Sequence, residues 1–599
     1  MRASFIQHPM PPRRVSPLQR YLPILDWARG YSREDLASDL LAGVITAILL
    51  VPQGMAFGLL AGLPPQAGLY ASILPPILYA LLGTSRTLAV GPVSVAAIMV
   101  AQALSGLPPG AQYVTSALVL ALLGAAVLLA LGVLRLGVLA NFLSHPVLSG
   151  FTTAAAILIV LSQLPNLLGI AAPRGMSLGD APARVLEALR VMNFSTAALG
   201  ALSVVLLLLA GAPLERVLVR WGMHPGRASL LGKTAPLAVV LVTTSLVAGL
   251  DLDSAHAVAV VGRIPAGLPS FGLTVPRAET MVSLFPAAVL IALVAYVESV
   301  SIAKTLAHRR RQTIDPNQEL LALGGANLAA ALSGGMPVAG GFSRTMVNYN
   351  AGARTQGAAI VTALLVGLVA LLFTPALRHV PKAALAAIII VAVSRLIDAR
   401  GALAAWRYNR HDGLVLIATA AGVLALGIEL GLALGLVLSL LVYIWRASRP
   451  HLAELGRLPG SEHFRNVRRY DNLQTWPSIL LLRIDEHLSF ANSAYVEDVL
   501  MERVAQRPRV EHLVLVASGI NGIDVSALEM LHKLAQSLRE AGVTLHLAEV
   551  KGPVMDRLKH TALIRDLAPG RVFLSAHEAV ETLTRKTSRA EPARRHRAR

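Results

Sequence analysis

From about residue 36 to residue 447 the chain is a succession of long apolar runs separated by short polar breaks. The hydrocarbon core of a bilayer, about 30 Å thick, is crossed by about 20 apolar residues of helix. Hydropathy places about fourteen such segments, at 36–62, 66–83, 88–105, 112–135, 138–165, 196–213 and 234–250, then 282–306, 318–333, 340–353, 356–375, 381–397, 412–427 and 430–447. The third and the tenth are short and broken. They read Thr87-Leu-Ala-Val-Gly91-Pro92-Val93-Ser94 and Ser333-Gly-Gly-Met-Pro337-Val-Ala-Gly340-Gly341-Phe-Ser343-Arg344-Thr345. In lipid, unwound backbone survives only where protein buries it or a watery cavity meets it. Each break lies third in a set of seven, and an odd number of spans per half inverts the second half relative to the first. The expected fold is therefore a polytopic α-helical membrane protein of about fourteen spans in a 7+7 inverted repeat, with a substrate site where the two breaks face each other.

Basic residues orient this arrangement. With the N-terminus inside, the cytoplasmic loops hold Arg86, Arg135, Arg216, Arg220, the run Arg309 to Arg311, Arg354, Arg395, Arg400 and Arg407. The opposite loops hold fewer, among them Arg263, Arg277 and Arg378. The bias predicts cytoplasmic termini at both ends. Residues 1–35 form a polar, Pro-rich leader, with no cleavable signal peptide expected. After Trp445 the composition changes. Residues 448–475 read as a polar linker, and 476–585 as an α/β unit with strands near Ile479–Ile484, Leu513–Val516 and Val543–Leu547 and helices between them. Residues 586–599 form a basic tail.

Composition agrees with a membrane protein: 55% of the 599 residues are hydrophobic and only 15% are charged. The net charge of +19 lies largely on loops and tails beside apolar spans, so a lipid surface rather than nucleic acid is the expected partner. There are no cysteines, which excludes disulfides, thiolate metal sites and a Cys nucleophile. No Gly-x-x-x-x-Gly-Lys-Ser/Thr loop is present, so an ATPase is not expected; no enzymatic activity, cofactor or metal is expected either.

The stretch Pro65-Gln-Ala-Gly68-Leu69-Tyr70-Ala71-Ser72, with Leu78-Tyr79 and Gly83-Thr84-Ser85-Arg86 after it, resembles the sulfate permease family, whose animal relatives include prestin and pendrin. Val51-Pro52-Gln53-Gly54-Met55-Ala56, Ser144-His145-Pro146-Val147-Leu148-Ser149-Gly150-Phe151, Glu298 to Lys304 and Pro337 to Asn350 extend the likeness. The resemblance implies a core domain and a gate domain, a homodimer, and a C-terminal STAS domain. It implies that an anion lies between the starts of the two broken helices, lined by positions matching Gln53, Phe57, Val93, Ser343 and Arg344. The residues themselves point the same way. Helix N-termini bring free N–H groups and about half a positive charge each. Pro92 suits the first position of a helix, small residues such as Gly91, Ser94 and Ser343 admit a ligand to the backbone, and Arg344 supplies a fixed cation.

Glu298 stands alone in the apolar run Ala287 to Ile302. A carboxylate balanced between desolvation and a nearby cation can exchange a proton. Family members with an acid here tend to be symporters, and the sodium-coupled bicarbonate type resembles Asp with Thr four residues on. Here that fourth residue is Ile302, which cannot ligate Na⁺, so H⁺ is the expected coupling ion. The expected function is secondary active transport of small oxyanions, sulfate favoured, by H⁺ symport with an elevator-like motion, in a bacterial inner membrane. Na⁺-coupled bicarbonate or C4-dicarboxylate transport, an anion exchanger or channel, and a membrane sensor are the alternatives. In the α/β unit, Ser518 to Ser526 joins a strand to a helix. Related anti-sigma-antagonist proteins present a phosphorylatable Ser in a similar loop, matching Ser526, whereas Asp524 or Ser526 can equally be the helix cap.

Overall fold

The computed structural model describes residues 21–138, 144–170, 192–224, 228, 231–232, 234–265, 267–269, 271–272 and 277–590. Residues 1–20 of the expected leader and 591–599 of the expected tail lie outside them. The chain divides into two units, Met1–Ser439 and Leu440–Arg599.

Every one of the fourteen apolar segments holds a helix. In the first half these are α1 (Arg33–Leu60), α2 (Pro65–Tyr70), α3 (Leu74–Leu82), α4 (Ser94–Ala103), α5 (Ala111–Val133), α6 (His145–Leu168), α7 (Phe194–Leu209) and α8 (Ala235–Gly249). In the second they are α9 (Ala278–Arg309), α10 (Pro316–Leu332), α11 (Phe342–Asn350), α12 (Gly357–Leu372), α13 (Lys382–Ser394), α14 (Arg410–Leu426) and α15 (Ile428–Ser448). By length and composition five helices among the described residues can each cross a membrane alone: α1, α5, α6, α9 and the Leu430–Ser448 part of α15. The others are shorter or bent, so the helix count and the number of full crossings differ.

Helix α1 begins where its sequence says it should. Ser32 Oγ accepts from the Asp35 N–H at 3.1 Å, and the Ser32 N–H donates to Asp35 Oδ2 at 3.0 Å, a reciprocal cap. Its middle is set by glycine. A Cβ on Gly68 of α2 would lie 1.8 Å from the Gly54 carbonyl oxygen of α1, so only glycine allows this approach. That is the physical content of the Pro65–Ser72 motif.

The helices of the first unit sort into two groups by packing. In one, α10 lies on α5 and α3, α12 on α1 and α3, α9 on α5 and α4, and α11 on α1. In the other, α14 and α13 lie on α6, and α7 lies on α13 and α8. Between the groups, α1 touches α13 and α8, and α4 touches α6.

The second unit is built on a six-stranded sheet of β3 (Leu452–Arg457), β4 (Phe464–Asn466), β5 (Ile479–Ile484), β6 (His512–Val516), β7 (Thr544–Ala548) and β8 (Val572–Phe573), in the order β4-β3-β5-β6-β7-β8. Strands β5 to β8 run parallel, and β3 is antiparallel to both its neighbours. Alternate residues of each central strand enter opposite cores. Leu480, Leu482, Leu513 and Leu515 meet α16 (Ser493–Ala505) and α17 (Val525–Glu540), while Ile479, Leu481, Val514 and Val516 meet α18 (Ala576–Ala590). A sheet buried on both faces explains why these strands read as continuous apolar runs. The stretch 448–475, expected to be a linker, instead supplies β3 and β4. These strands are short and lie at one side of the sheet, and their polar residues are held by ion pairs such as Arg507 Nη2 to Glu454 Oε1 (2.5 Å), so hydropathy alone misses them.

Candidate functional site

The two broken segments meet. Val90–Gly91 (β1) and Ala339–Gly340 (β2) form a two-stranded antiparallel ribbon, Val90 opposite Gly340 and Gly91 opposite Ala339. The Gly341 N–H extends it to the Ala89 carbonyl at 3.1 Å. One helix leaves from each end of this ribbon, α4 after β1 and α11 after β2. Ten residues of α4 span only about 15 Å at about 1.5 Å per residue, and α11 has nine. Neither crosses a bilayer alone, and each turns its N-terminal, positive end toward the ribbon. Pro92 is not at the first helical position: α4 begins at Ser94 with Val93 as its cap residue, so Pro92 belongs to the extended entry.

The unwound backbone is satisfied by buried side chains, as a nonpolar surrounding demands. On the first break, Glu319 accepts from the Thr84 N–H (2.8 Å), Thr84 Oγ1 (2.6 Å), the Ser85 N–H (3.2 Å) and Tyr79 OH (2.7 Å). Gln356 Nε2 donates to the Ser85 and Leu88 carbonyls at 2.6 and 3.0 Å. Asn348 Nδ2 donates to the Thr87 carbonyl at 3.0 Å, and Thr345 Oγ1 accepts from the Ala89 N–H at 3.1 Å. On the second break, Asn327 both donates to the Val338 carbonyl and accepts from the Val338 N–H, each at 3.0 Å. Ser299 Oγ accepts from the Gly340 N–H at 2.8 Å. The second half of the chain thus holds both breaks in place. These clamps are absent from the sequence reading. Asn327 gives the signal that marked Glu298, a lone polar residue in an apolar run, whereas Glu319, Gln356 and Asn348 lie among other polar residues and give none.

Arg344 lies at the junction, 2% exposed. Its Nη1 donates to the Pro92 carbonyl at 2.5 Å, while Nε and Nη2 are buried with no hydrogen-bond partner among the described residues. The guanidinium is flanked by Gly91 and Gly341; a Cβ on either would come within 3.3 or 3.0 Å of Nη2. Two unmatched charged donors in a buried place are costly unless something accepts from them.

The other expected residues distribute as follows. Gln53 and Phe57 are buried on α1, which packs against both α4 and α11. Gln53 follows Pro52 inside that helix and makes no hydrogen bond among the described residues. Val93 is buried against Ala96, Ala295 and Ala339, and Ser94 is half-buried at the first position of α4. Ser343, beside Arg344, is exposed. Glu298 is half-buried on α9, next in sequence to the clamp Ser299. Helix α9 touches α11, which carries Arg344, and no salt bridge joins Glu298 to Arg344 among the described residues. In the second unit Ser526 is exposed, and it is Asp524 that caps α17, accepting from the Ala527 N–H at 2.9 Å.

Gly341→Ala tests the crowding at the guanidinium directly. The new methyl displaces Nη2, and if the guanidinium holds an anion, affinity for it is expected to fall about tenfold, equivalent to about 1.4 kcal/mol. A concentration series of uptake by the variant checks it.

Comparison with known proteins assigns the chain. The sulfate permease family model matches residues 36–419, and the STAS domain model matches residues 470–579. Sulfate transporter 4.1, chloroplastic, of Arabidopsis thaliana is 34% identical over 583 residues, covering 95% of this chain and 83% of that one. A probable sulfate transporter of Mycobacterium tuberculosis is 35% identical over 562 residues, covering 93% and 97%. The structure of murine solute carrier 26 family member A9, an anion transporter in the inward-facing state, matches with a TM-score of 0.85 at 25% identity over 96% of both chains. The transmembrane domain of a cyanobacterium bicarbonate transporter, BicA, matches with a TM-score of 0.57 at 23% identity over 68% of this chain and 98% of that one. With its multi-pass membrane region and the C-terminal domain both matched, the chain belongs to the sulfate permease family of membrane transporters and carries a STAS domain.

Proposed function

We propose that the protein is a secondary active transporter of small oxyanions, with sulfate as the favoured substrate and H⁺ as the coupling ion. One observation carries the reading: two buried, unmatched N–H-bearing nitrogens of Arg344 sit where the positive ends of two half-helices converge. Such a place favours an anion small enough to replace water on several donors at once. Gln53 and Phe57, on the helix that touches both half-helices, and Val93, Ser94 and Ser343, around the helix starts, are the proposed lining. Glu298 is the proposed proton carrier. Relatives named as sulfate transporters along nearly the whole chain favour sulfate. Na⁺-coupled bicarbonate uptake is the second reading, which Ile302, four residues after Glu298, disfavours. Radiolabelled sulfate, bicarbonate and a C4-dicarboxylate offered to proteoliposomes under imposed pH or Na⁺ gradients separate these. Uphill sulfate uptake driven by a pH gradient supports the first reading. Uptake that only follows the anion's own gradient is the mark of a channel, and binding without flux that of a sensor.

The same reading takes the two helix groups as core and gate of a 7+7 inverted repeat, moving past each other in a dimer in a bacterial inner membrane with both termini cytoplasmic. It takes Ser526 as a site for phosphoryl regulation, since the hydroxyl is exposed and not used as the cap. A polar contact then acts as a latch between the groups. Gln102, near the end of α4, accepts from the Ile428 N–H at the start of α15 at 3.0 Å. That part of α15 lies on α14, where a Cβ on Gly431 would strike the Val423 N at 2.2 Å. Gln102→Leu removes the acceptor and leaves the N–H unpaired. It is expected to cut the maximal uptake rate several-fold with KM changed by less than about twofold, since the anion site is untouched. An unchanged maximal rate counts against Gln102 as a latch.

A further inference from the structure

We infer that the β3–β4 hairpin and the end of α15 form an interaction surface for the headgroups of anionic lipids. Helix α15 ends at Ser448 and β3 begins at Leu452. Four residues of chain reach at most about 14 Å, so the start of β3 is tethered near the point where the apolar helix leaves the bilayer. The strand register fixes what else lies at that end. Leu455 pairs with Asn466 and Arg457 with Phe464, and the Val467 N–H donates to the Glu454 carbonyl at 3.0 Å. Strand β4 therefore carries the chain back toward the start of β3, and its exit turn, with Arg468, Arg469 and Tyr470, lies at the tethered end. Glu462 sits in the hairpin tip at the other end.

Arg449, Arg465, Arg468 and Arg469 are exposed, and none has a carboxylate partner among the described residues. Arg465 Nη1 donates to its neighbour's carbonyl, Phe464, at 3.0 Å. The Arg449 guanidinium lies over the Trp445 ring, 5.7 Å from its centre. Nearby acids are engaged elsewhere: Glu454 by Arg507, and Asp485 by Arg483 and His451. Asp471 follows in the chain and offsets one of the four charges. Unpaired surface charge within about a Debye length, roughly 8 Å, of an anionic leaflet is attracted to it. Trp445 and Tyr470, 45% and 50% exposed, add the amphipathic rings that settle at headgroup depth.

This inference does not depend on which anion is carried or how. Its test uses the full chain in vesicles of phosphatidylcholine alone or mixed with phosphatidylglycerol, without substrate, and follows amide hydrogen exchange over residues 464–470. Phosphatidylglycerol is expected to slow exchange there several-fold. High salt should reverse the effect, Arg→Lys at positions 449, 465, 468 and 469 should keep it, and Arg→Gln at the same four should abolish it. Equal exchange in the two vesicle types, or protection that persists in the Gln variant, overturns the assignment.

Discussion

Arg344→Ala is expected to raise the apparent Kd for the transported anion by about a hundredfold or more, a loss of about 3 kcal/mol, the scale seen when one member of a desolvated charge pair is truncated. Two effects add. On the proposed reading the anion loses the donors at Nε and Nη2, and the Pro92 carbonyl loses Nη1, which helps fix the start of α4. Arg344→Lys restores the charge but not the planar fork that reaches Pro92 and the ligand together, so it should recover only part of the affinity. Equilibrium binding of the radiolabelled anion to the purified variants measures both. An alanine variant with near-normal affinity would remove Arg344 from the site.

The second large effect belongs to Glu298. If one proton accompanies each anion, a gradient of one pH unit, about 1.4 kcal/mol, supports about tenfold accumulation. Glu298→Gln keeps the size of the side chain but cannot take up or release a proton. It is expected to leave anion binding within a few-fold of normal and to reduce accumulation driven by the pH gradient to the passive level. Uptake should then be flat against external pH. On the proposed reading linkage joins the two sites: an anion bound at Arg344 would change the field at Glu298, and by reciprocity a proton at Glu298 would change the affinity at Arg344. Pyranine-loaded vesicles report proton entry alongside uptake. Unaltered pH-driven accumulation by the Gln variant would exclude Glu298 as the carrier.

Much of this molecule was legible from pattern alone. Apolar runs of helical length locate a helix in each of the fourteen segments because lipid-facing and protein-facing surfaces are both apolar. The breaks at Gly91-Pro92 and Pro337 to Gly341 stand out because glycine and proline cost helix stability unless unwound backbone is wanted. What the pattern cannot give is pairing. Nothing in either segment announces that Val90 lies opposite Gly340. The clamps Glu319, Gln356, Asn348, Asn327 and Ser299 are also separated from the carbonyls and N–H groups they serve by up to 271 positions. Hydropathy further counts a helix such as α4 as a span although it is half as long as one. The β3–β4 hairpin was missed for a different reason: its alternation covers too few residues, with too many charges, to separate a strand at the side of a sheet from a loop.

The reading rests on an anion being held between the starts of α4 and α11 by Arg344 and helix-end N–H groups. Selenate, a tetrahedral oxyanion with an anomalous scatterer, tests this most directly in crystals of the full chain. The account predicts one strong selenium peak between the two helix starts, within hydrogen-bonding reach of Arg344 Nε and Nη2 and lost in Arg344→Ala. Selenate that competes with sulfate for uptake yet produces its peak elsewhere, leaving the ribbon junction empty, would contradict it.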